Sequence, residues 1–386
     1  MDYFEESLKK HKEYSGKLET ISKVPLKTRE DLSTYYSPGV AGPCLEIAKD
    51  KKKVNDYTLK SNTIAVISDG TAVLGLGDIG PEASLPVMEG KAILFKEFGG
   101  INAFPIILNT KDTKEIIETI KHIAPTFGGI NLEDISSPRC FEIEETLKKE
   151  LDIPVFHDDQ HGTAIVTLAG IINALKITKK DKKDVKVLIN GVGAAGVAIT
   201  KLLHLYGIKD IVVVDSKGTI YAGRGNLNVE KEMLTNITNT ACILNPESKH
   251  CIKGGLKEAI VGRDIFIGVS APGVLTKEMV KSMNKDPIIF AMANPIPEIM
   301  PEDAYEAGAK IVATGRSDYP NQLNNVLIFP GIFKGALQNK VPKITDAMKI
   351  KASENLANMI KNPTFDKIIP SPFDIGVADE VAKAVV

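Results

Sequence analysis

Tryptophan is absent from the 386 residues, which by itself decides nothing, and cysteine is scarce. The four cysteines, Cys44, Cys140, Cys242 and Cys251, are scattered without a C-x-x-C pair. That spacing argues against a disulfide framework or a zinc site and for reduced, mostly buried thiols. Neither sign of charge is in excess. With 48 basic and 49 acidic residues the formal net charge is −1, so no general field draws the chain to nucleic acid or to an anionic membrane. Long hydrophobic runs are missing too: no uninterrupted apolar stretch reaches the roughly 20 residues that span a bilayer. The first residues, Met1-Asp2-Tyr3-Phe4-Glu5-Glu6, lack the basic and apolar regions of a secretory signal. The expectation is a cytoplasmic protein with no nucleic-acid or membrane partner.

What is present is an ordinary globular composition, 43% hydrophobic and 25% charged, on a chain long enough for two cores. The most specific stretch runs from Val185 to Asp215. An apolar run, Val185 to Ile189, meets the turn Gly191-Val192-Gly193-Ala194-Ala195-Gly196, a helix-like Ala194 to Tyr206 follows, and a second apolar run ends at Asp215. This is the strand, turn, helix and strand of a dinucleotide site. The spacing predicts Gly191 for the tight turn, Gly193, Ala194 and Ala195 at the pyrophosphate, Gly196 for close helix packing, and Asp215 on a ribose hydroxyl. Gly75-Leu76-Gly77-Asp78-Ile79-Gly80 fits the same pattern, but Asp78 would carry a negative charge towards a phosphate. That segment reads as a loop lining the active site.

Two acidic pairs supply the other signal. Glu133-Asp134 follows the short strand ending at Leu132, and Asp158-Asp159 follows the strand ending at Phe156. Ligands in open α/β sheets sit beyond the carboxyl ends of strands, so the pairs can converge there. Carboxylates gathered without basic partners repel one another unless a cation joins them, and oxygen-only ligation suits Mg²⁺ or Mn²⁺. His157 and His161 offer zinc as a softer alternative, or else support the ligands from behind or pack in the core. Lys91, between Gly90 and the apolar Ala92-Ile93-Leu94-Phe95, is placed where burial could lower its pKa and make it a usable base. Tyr36, just before Ser37-Pro38, could present a hydroxyl as a proton donor, although a tyrosine packed under a loop is the commoner arrangement.

Asp2 to Tyr14 reads as a short amphipathic helix, Asp31 to Pro43 as a shaped loop, Gln160 to Lys176 as a long helix and Gly254 to Gly262 as a further one. Alternating strands and helices predict an α/β protein of two domains. Residues 1–160 would form an N-terminal α/β substrate and metal domain with a helical arm. Residues 161–386 would form a Rossmann-like, doubly wound parallel sheet with a C-terminal helical extension. Asn294 at a strand end and Asn325 in a turn could fix a carboxylate or a nicotinamide amide.

The succession Tyr36-Ser37-Pro38-Gly39-Val40, Gly75-Leu76-Gly77-Asp78, Gly90-Lys91, Leu132-Glu133-Asp134, Phe156 to Ala164, Gly191 to Gly196, Ala293-Asn294-Pro295 and Asn325 to Gly331 resembles the malic enzymes, in particular the short bacterial-type form. The resemblance covers about residues 30 to 340. It implies oxidative decarboxylation of L-malate to pyruvate and CO₂ with reduction of NAD or NADP. It also implies Tyr36 as general acid, Lys91 as general base, Glu133, Asp134 and Asp159 as metal ligands, Asp158 in support, and Asn294 and Asn325 on substrate or nicotinamide. A homodimer is implied as well. The longer eukaryotic-type enzymes carry an arginine where Ala72 stands here, which leaves open the group that grips a malate carboxylate. Asp215 favours NAD by repelling a 2′-phosphate, while Lys217 and Arg224 could offset that repulsion. A metal-independent dehydrogenase of amino acids or folates, and a non-catalytic nucleotide sensor, are the competing readings.

Overall fold

The structure is a computed structural model that describes residues 3–386. Two sheets organise it. The first contains β1 (Thr63–Ser68), β2 (Asn102–Ile107), β3 (Gly129–Leu132) and β4 (Val155–His157), in the order β2-β1-β3-β4. All its pairings are parallel. The second contains β5 (Lys186–Asn190), β6 (Asp210–Asp215), β7 (Gly218–Thr219), β8 (Ile265–Gly268), β9 (Ile288–Ala291) and β10 (Ile311–Thr314), in the order β10-β9-β8-β5-β6-β7. Only β7 runs antiparallel, on the edge beside β6. Helices cover both faces of such sheets, so the strands are continuous apolar runs rather than alternating ones. β1, β3, β8, β9 and β10 are buried along their whole length.

The chain opens with α1 (Tyr3–Tyr14), α2 (Arg29–Tyr35), α3 (Ala41–Lys49) and α4 (Val54–Tyr57), none of which has a buried residue. Then come α5 (Pro81–Gly99), α6 (Thr113–Ile123), α7 (Arg139–Glu150), α8 (Asp158–Thr178) and α9 (Ala194–Tyr206). Part of the expected loop at 31–43 is helical. Thr28 caps α2 by accepting the Asp31 N–H, while the Asp31 carboxylate accepts the Thr28 N–H, a reciprocal pair whose sequence signature is short and easily missed. The helix expected over 254–262 contracts to Leu256–Ala259.

α8 is the long helix between the sheets. Its 21 residues are apolar enough to cross a membrane by length and composition, yet 72% of its most apolar window is buried inside the fold. After the second sheet the chain returns to the first. The Phe329–Gln338 helix stacks Phe329 and Phe333 on Phe95 of α5, with ring centroids 4.5 and 5.5 Å apart, and Phe333 also meets Phe156 of β4 at 6.0 Å. One apolar core therefore runs without a break from Ile64 on β1 to Ile311 on β10 and Val385 near the C-terminus. The cysteines also depart from expectation. Cys242 and Cys251 are joined in a disulfide, while Cys140 is a buried free thiol and Cys44 an exposed one. The two partners lie nine residues apart, a spacing that matches no sequence signature.

Candidate active site

Strand register brings the acidic pairs together. Leu132 of β3 lies opposite His157 of β4, so Glu133-Asp134 and Asp158-Asp159 leave the sheet side by side at its carboxyl edge. Asp158 and Asp159 form the first turn of α8 rather than a continuation of the strand. Asp134 has a positive φ of 54°, a conformation that short polar side chains tolerate. Its N–H donates to Asp159 Oδ2 at 2.9 Å. Asn131, buried on β3, donates to Glu133 Oε2 at 2.9 Å. One oxygen from each of Glu133, Asp134 and Asp159 lies within 4.8 Å of the other two.

That gathering is electrostatically costly. Burial, then the Asp159 charge, pushes the Asp134 carboxyl up to about 8. Burial pushes Asp158 up to about 6 and Glu133 well above its usual range. Asp134 Oδ2 and Asp158 Oδ1 are buried with no hydrogen-bond partner. Orphaned oxygens among repelling carboxylates fit a hard divalent cation, and the donor set is all oxygen. The histidines do not convert it to a zinc site. His161 donates to Glu144 at 2.9 Å, and burial lowers its pKa to about 4. His157 lies 3.7 Å from Asp159 Oδ2, with neither ring nitrogen hydrogen-bonded.

Lys91 closes the cluster from the middle of α5. Its Nζ is 2.7 Å from Asp158 Oδ2 and 2.8 Å from Glu133 Oε1, and it sits 4.2 Å from the Phe329 ring centroid. The expectation of a lowered pKa is corrected. Burial does pull the ammonium down, but the charges of Asp158 and Glu133, with a hydrogen bond to each, outweigh it and hold Lys91 above the ordinary lysine value. The flanking residues foretold the burial. Only the register of β3 and β4 reveals the carboxylates.

Two supports were not legible in the sequence. Glu144 of α7, almost fully buried, accepts the His157 N–H at 3.1 Å and the Gln160 amide at 3.2 Å, and pairs with Lys148 at 2.8 Å. It anchors the junction that presents Asp158 and Asp159. Its only linear signal is the i,i+4 Lys148, which reads as a surface pair. Gly162 is the second. A Cβ there would fall 1.9 Å from Asp158 Oδ1 and 3.0 Å from Asn325 Cβ, which places Asn325 beside the Lys91 and Asp158 pair.

At the second sheet, Gly191 takes φ 115°, and a side chain there would strike the Val269 carbonyl at 2.4 Å. A Cβ on Gly196 would strike the Gly191 carbonyl at 1.9 Å, so Gly196 spares the turn as well as the packing. Nothing lies within 4 Å of the Cβ direction of Gly193, which caps α9 without a side-chain hydrogen bond. Open space over uncapped N–H groups, with Ala194 and Ala195 as the first helical residues, suits a pyrophosphate. Asp215 ends β6 with Oδ1 on Arg224 and Oδ2 on Lys231, each at 2.7 Å. Lys217 contributes its backbone N–H, at 2.9 Å. Asn294 is exposed at the end of the β9 loop, with its carbonyl 2.4 Å from the Cβ direction of Gly75. The Gly75 to Gly80 loop thus borders Asn294, far from the dinucleotide turn in role. Glu298, fully buried, ties the loop after β9 to the end of β8 by accepting the N–H groups of Ala293 and Ser270 at 3.0 and 2.8 Å, a role sequence reasoning missed.

Tyr36 is not brought to the cluster within this chain. It ends α2 with 68% of its surface exposed, and among the described residues no hydrogen bond links it to Lys91 or the four carboxylates.

The family described as "Malic enzyme, NAD binding domain" matches residues 160–386, and "Malic enzyme, N-terminal domain" matches residues 15–115 and 110–148. A bifunctional malic/malolactic enzyme of Bacillus subtilis is 60% identical over 388 residues, covering 100% of this chain and 92% of its own. An NAD-dependent malic enzyme of Geobacillus stearothermophilus is 57% identical, covering 96% of this chain and 76% of its own. The crystal structure of an NAD-dependent malic enzyme from Thermotoga maritima superposes with a TM-score of 0.93 at 48% identity, covering 98% of each chain. With both halves matched and the fold shared along its whole length, the chain belongs to the malic enzyme family.

Proposed function

We propose that the protein converts L-malate and NAD to pyruvate, CO₂ and reduced NAD, with Mg²⁺ or Mn²⁺ held by Glu133, Asp134 and Asp159. The observation that carries this reading is the Lys91 ammonium seated against Glu133 and Asp158 at the rim of the three-carboxylate cluster. A divalent cation bound there supplies a Lewis acid to the oxygen on C2 of malate. With Glu133, Asp134 and Asp159 committed to a cation, Lys91 faces one free carboxylate, Asp158, and loses much of the stabilisation that holds its proton. Lys91 is then the group that takes the C2 hydroxyl proton as hydride leaves C2 for the nicotinamide. Asp158 orients the amine, and Asn325 and Asn294 position substrate and nicotinamide. Tyr36, exposed and away from the cluster within this chain, would join Lys91 in protonating C3, after the C4 carboxylate departs as CO₂, only by reaching the site of the other subunit of the dimer. NAD is preferred because Asp215 stands where a 2′-phosphate would lie, and NADP remains a weaker substrate because Arg224 and Lys231 flank it.

The reading includes a homodimer, a division of the chain near residue 160, and a cytoplasmic location. The exposed apolar side chains of Leu8, Leu26, Leu45 and Leu59, together with Tyr36, support a partner surface on the N-terminal segment. The gap between the two family matches, which part between 148 and 160, supports the division.

The test is an assay with L-malate and each dinucleotide, with and without divalent metal, following reduced dinucleotide and pyruvate together. Equal amounts of both products, abolished by EDTA and restored by Mn²⁺, are expected. Full activity in excess EDTA, or reduced dinucleotide without pyruvate, overturns the reading. Sedimentation of the intact protein tests the dimer.

A further inference from the structure

Arg139, the first residue of α7, stands next to the carboxylate cluster, yet among the described residues no hydrogen bond or ion pair joins it to Glu133, Asp134, Asp158 or Asp159. Its guanidinium is committed elsewhere. Nη2 donates to Thr71 Oγ1 at 2.9 Å and to Ser136 Oγ at 3.1 Å, and Nη1 donates to the Lys111 carbonyl at 2.9 Å. Nη1 also lies 2.8 Å from Asp69 Oδ2, on a carboxylate 1% exposed, as a charge pair rather than an aligned hydrogen bond. A guanidinium spent on these four groups has little left to grip a malate carboxylate in place of the arginine missing at Ala72. The groups it holds belong to the two segments that shape Asp134. The Thr71 hydroxyl has no unused capacity: it donates to Asp69 Oδ1 at 2.6 Å and accepts from Arg139 and from the Ser136 N–H, the latter at 3.0 Å. The next residue, Ala72, donates its N–H to the Asp134 carbonyl at 3.0 Å. The turn from Asp134 to Ser136 is therefore stitched at both ends to the loop after β1, and Arg139 locks the stitch. Asp134 needs such a hold. Its φ of 54° is a conformation that persists in a non-glycine residue only where the surroundings over-determine it, and its Oδ2 is buried with no hydrogen-bond partner.

We propose that Arg139 is a positioning residue for the metal site: through Thr71 and Ser136 it fixes the backbone at Asp134, and so holds that carboxylate within reach of Glu133 and Asp159. The inference rests on the cation assigned to those three acids under the proposed function. Arg139 itself touches neither cation nor substrate. Groups that orient a metal ligand from behind typically contribute about 10- to 100-fold to metal affinity.

Calorimetric titration of the intact protein with Mn²⁺, free of malate and dinucleotide, tests the role, with fluorescence titration of reduced NAD alongside. Arg139→Ala and Thr71→Val should each weaken Mn²⁺ binding by about tenfold or more and leave reduced-NAD affinity unchanged. Because both substitutions cut one path, the double variant should lose no more than about threefold beyond the weaker-binding single one. If Arg139→Ala does not fold, Thr71→Val alone carries the same criterion. Mn²⁺ affinity within about threefold of the parent in a folded variant overturns the inference. So do losses that add in the double variant, and a loss shared equally by Mn²⁺ and reduced NAD, which marks general disorder. A raised KM for malate with Mn²⁺ affinity intact also overturns it, by making Arg139 the substrate's own grip. Parent Mn²⁺ binding that is absent, or that survives Asp159→Asn, removes the metal reading and this inference with it. Binding lost in Asp159→Asn but kept in Arg139→Ala removes this inference alone.

Discussion

One added methyl group should disable the active site with every charged residue left in the sequence. In Gly162→Ala the new Cβ would lie 1.9 Å from Asp158 Oδ1, against ordinary contact from 3.4 Å. The carboxylate must therefore retreat by about 1.5 Å or rotate, since Asn325 already stands 3.0 Å from the same point. Either movement breaks the 2.7 Å bond between Asp158 Oδ2 and Lys91. Misplacing a reacting group by about 1 Å costs on the order of 10²-fold in rate, so kcat for malate oxidation should fall by about that factor. Folding should survive. Overpacking costs about 1–3 kcal/mol, and replacing a mid-helix glycine returns close to 1 kcal/mol. Dinucleotide affinity should hold, because the Gly191 turn belongs to the other sheet. Steady-state kinetics at saturating Mn²⁺ and malate, with fluorescence titration of reduced NAD, separate the two effects. Gly170→Ala is the control: it lies in the same helix, but its Cβ would meet Leu323 and Phe290 rather than an acid. A Gly162→Ala enzyme within about threefold of the parent kcat, less than 1 kcal/mol, would refute the claim that Asp158 must hold Lys91 in place.

Asp215→Asn should raise the ratio of kcat/KM for NADP over NAD by about 10- to 100-fold, since it removes a repelling charge and frees Arg224 and Lys231 for a 2′-phosphate; a ratio unchanged within about threefold contradicts that role. For the metal-free protein, Mn²⁺ affinity should climb as pH rises from about 6 to about 8 and then level off, following the raised Asp158 and Asp134 carboxyls. A pH-independent affinity measured by calorimetry would count against the cluster as the binding site. The sign for stability is opposite. The folded, metal-free cluster keeps protons that the unfolded chain sheds above 3.8, so its contribution should fall as pH rises towards about 8, and saturating Mn²⁺ should reverse that trend in urea unfolding. Glu144→Ala strands the Lys148 ammonium and the His157 N–H; it should cost about 3–5 kcal/mol in denaturant unfolding, and a loss below about 1 kcal/mol would show that the junction does not depend on it.

The strands and the dinucleotide turn were readable because each is written locally. β6 ends at the expected Asp215 and α9 occupies the expected Ala194 to Tyr206, since parallel strands buried on both faces are apolar runs and the turn needs glycine at fixed offsets. The antiparallel β7 has two residues, and the capped α2 seven; neither has a periodicity long enough to register. The acids at strand ends were readable for the same local reason. Glu144 and Glu298 were not. Each is an ordinary-looking glutamate that becomes structural only because donors from another element converge on it, His157 and Gln160 on Glu144 and Ser270 on Glu298.

Lys91 shows what a linear reading omits. Its apolar neighbours foretell burial, and burial alone argues for a neutral amine. The sign of the shift is reversed by two carboxylates, 42 and 67 positions further along the chain, brought to it by the pairing of β3 with β4. The same geometry explains how the charge can be switched. Burial is the first cause of the raised carboxyls and their mutual repulsion adds to it, while the charges of Asp158 and Glu133 raise the lysine. In the proposed function, a divalent cation on Glu133, Asp134 and Asp159 would offset the repulsion among the acids and weaken the hold of Glu133 on the Lys91 proton. Proton loss from Lys91 would then be coupled to assembly of the proposed metal site, so that the base forms only in the loaded enzyme.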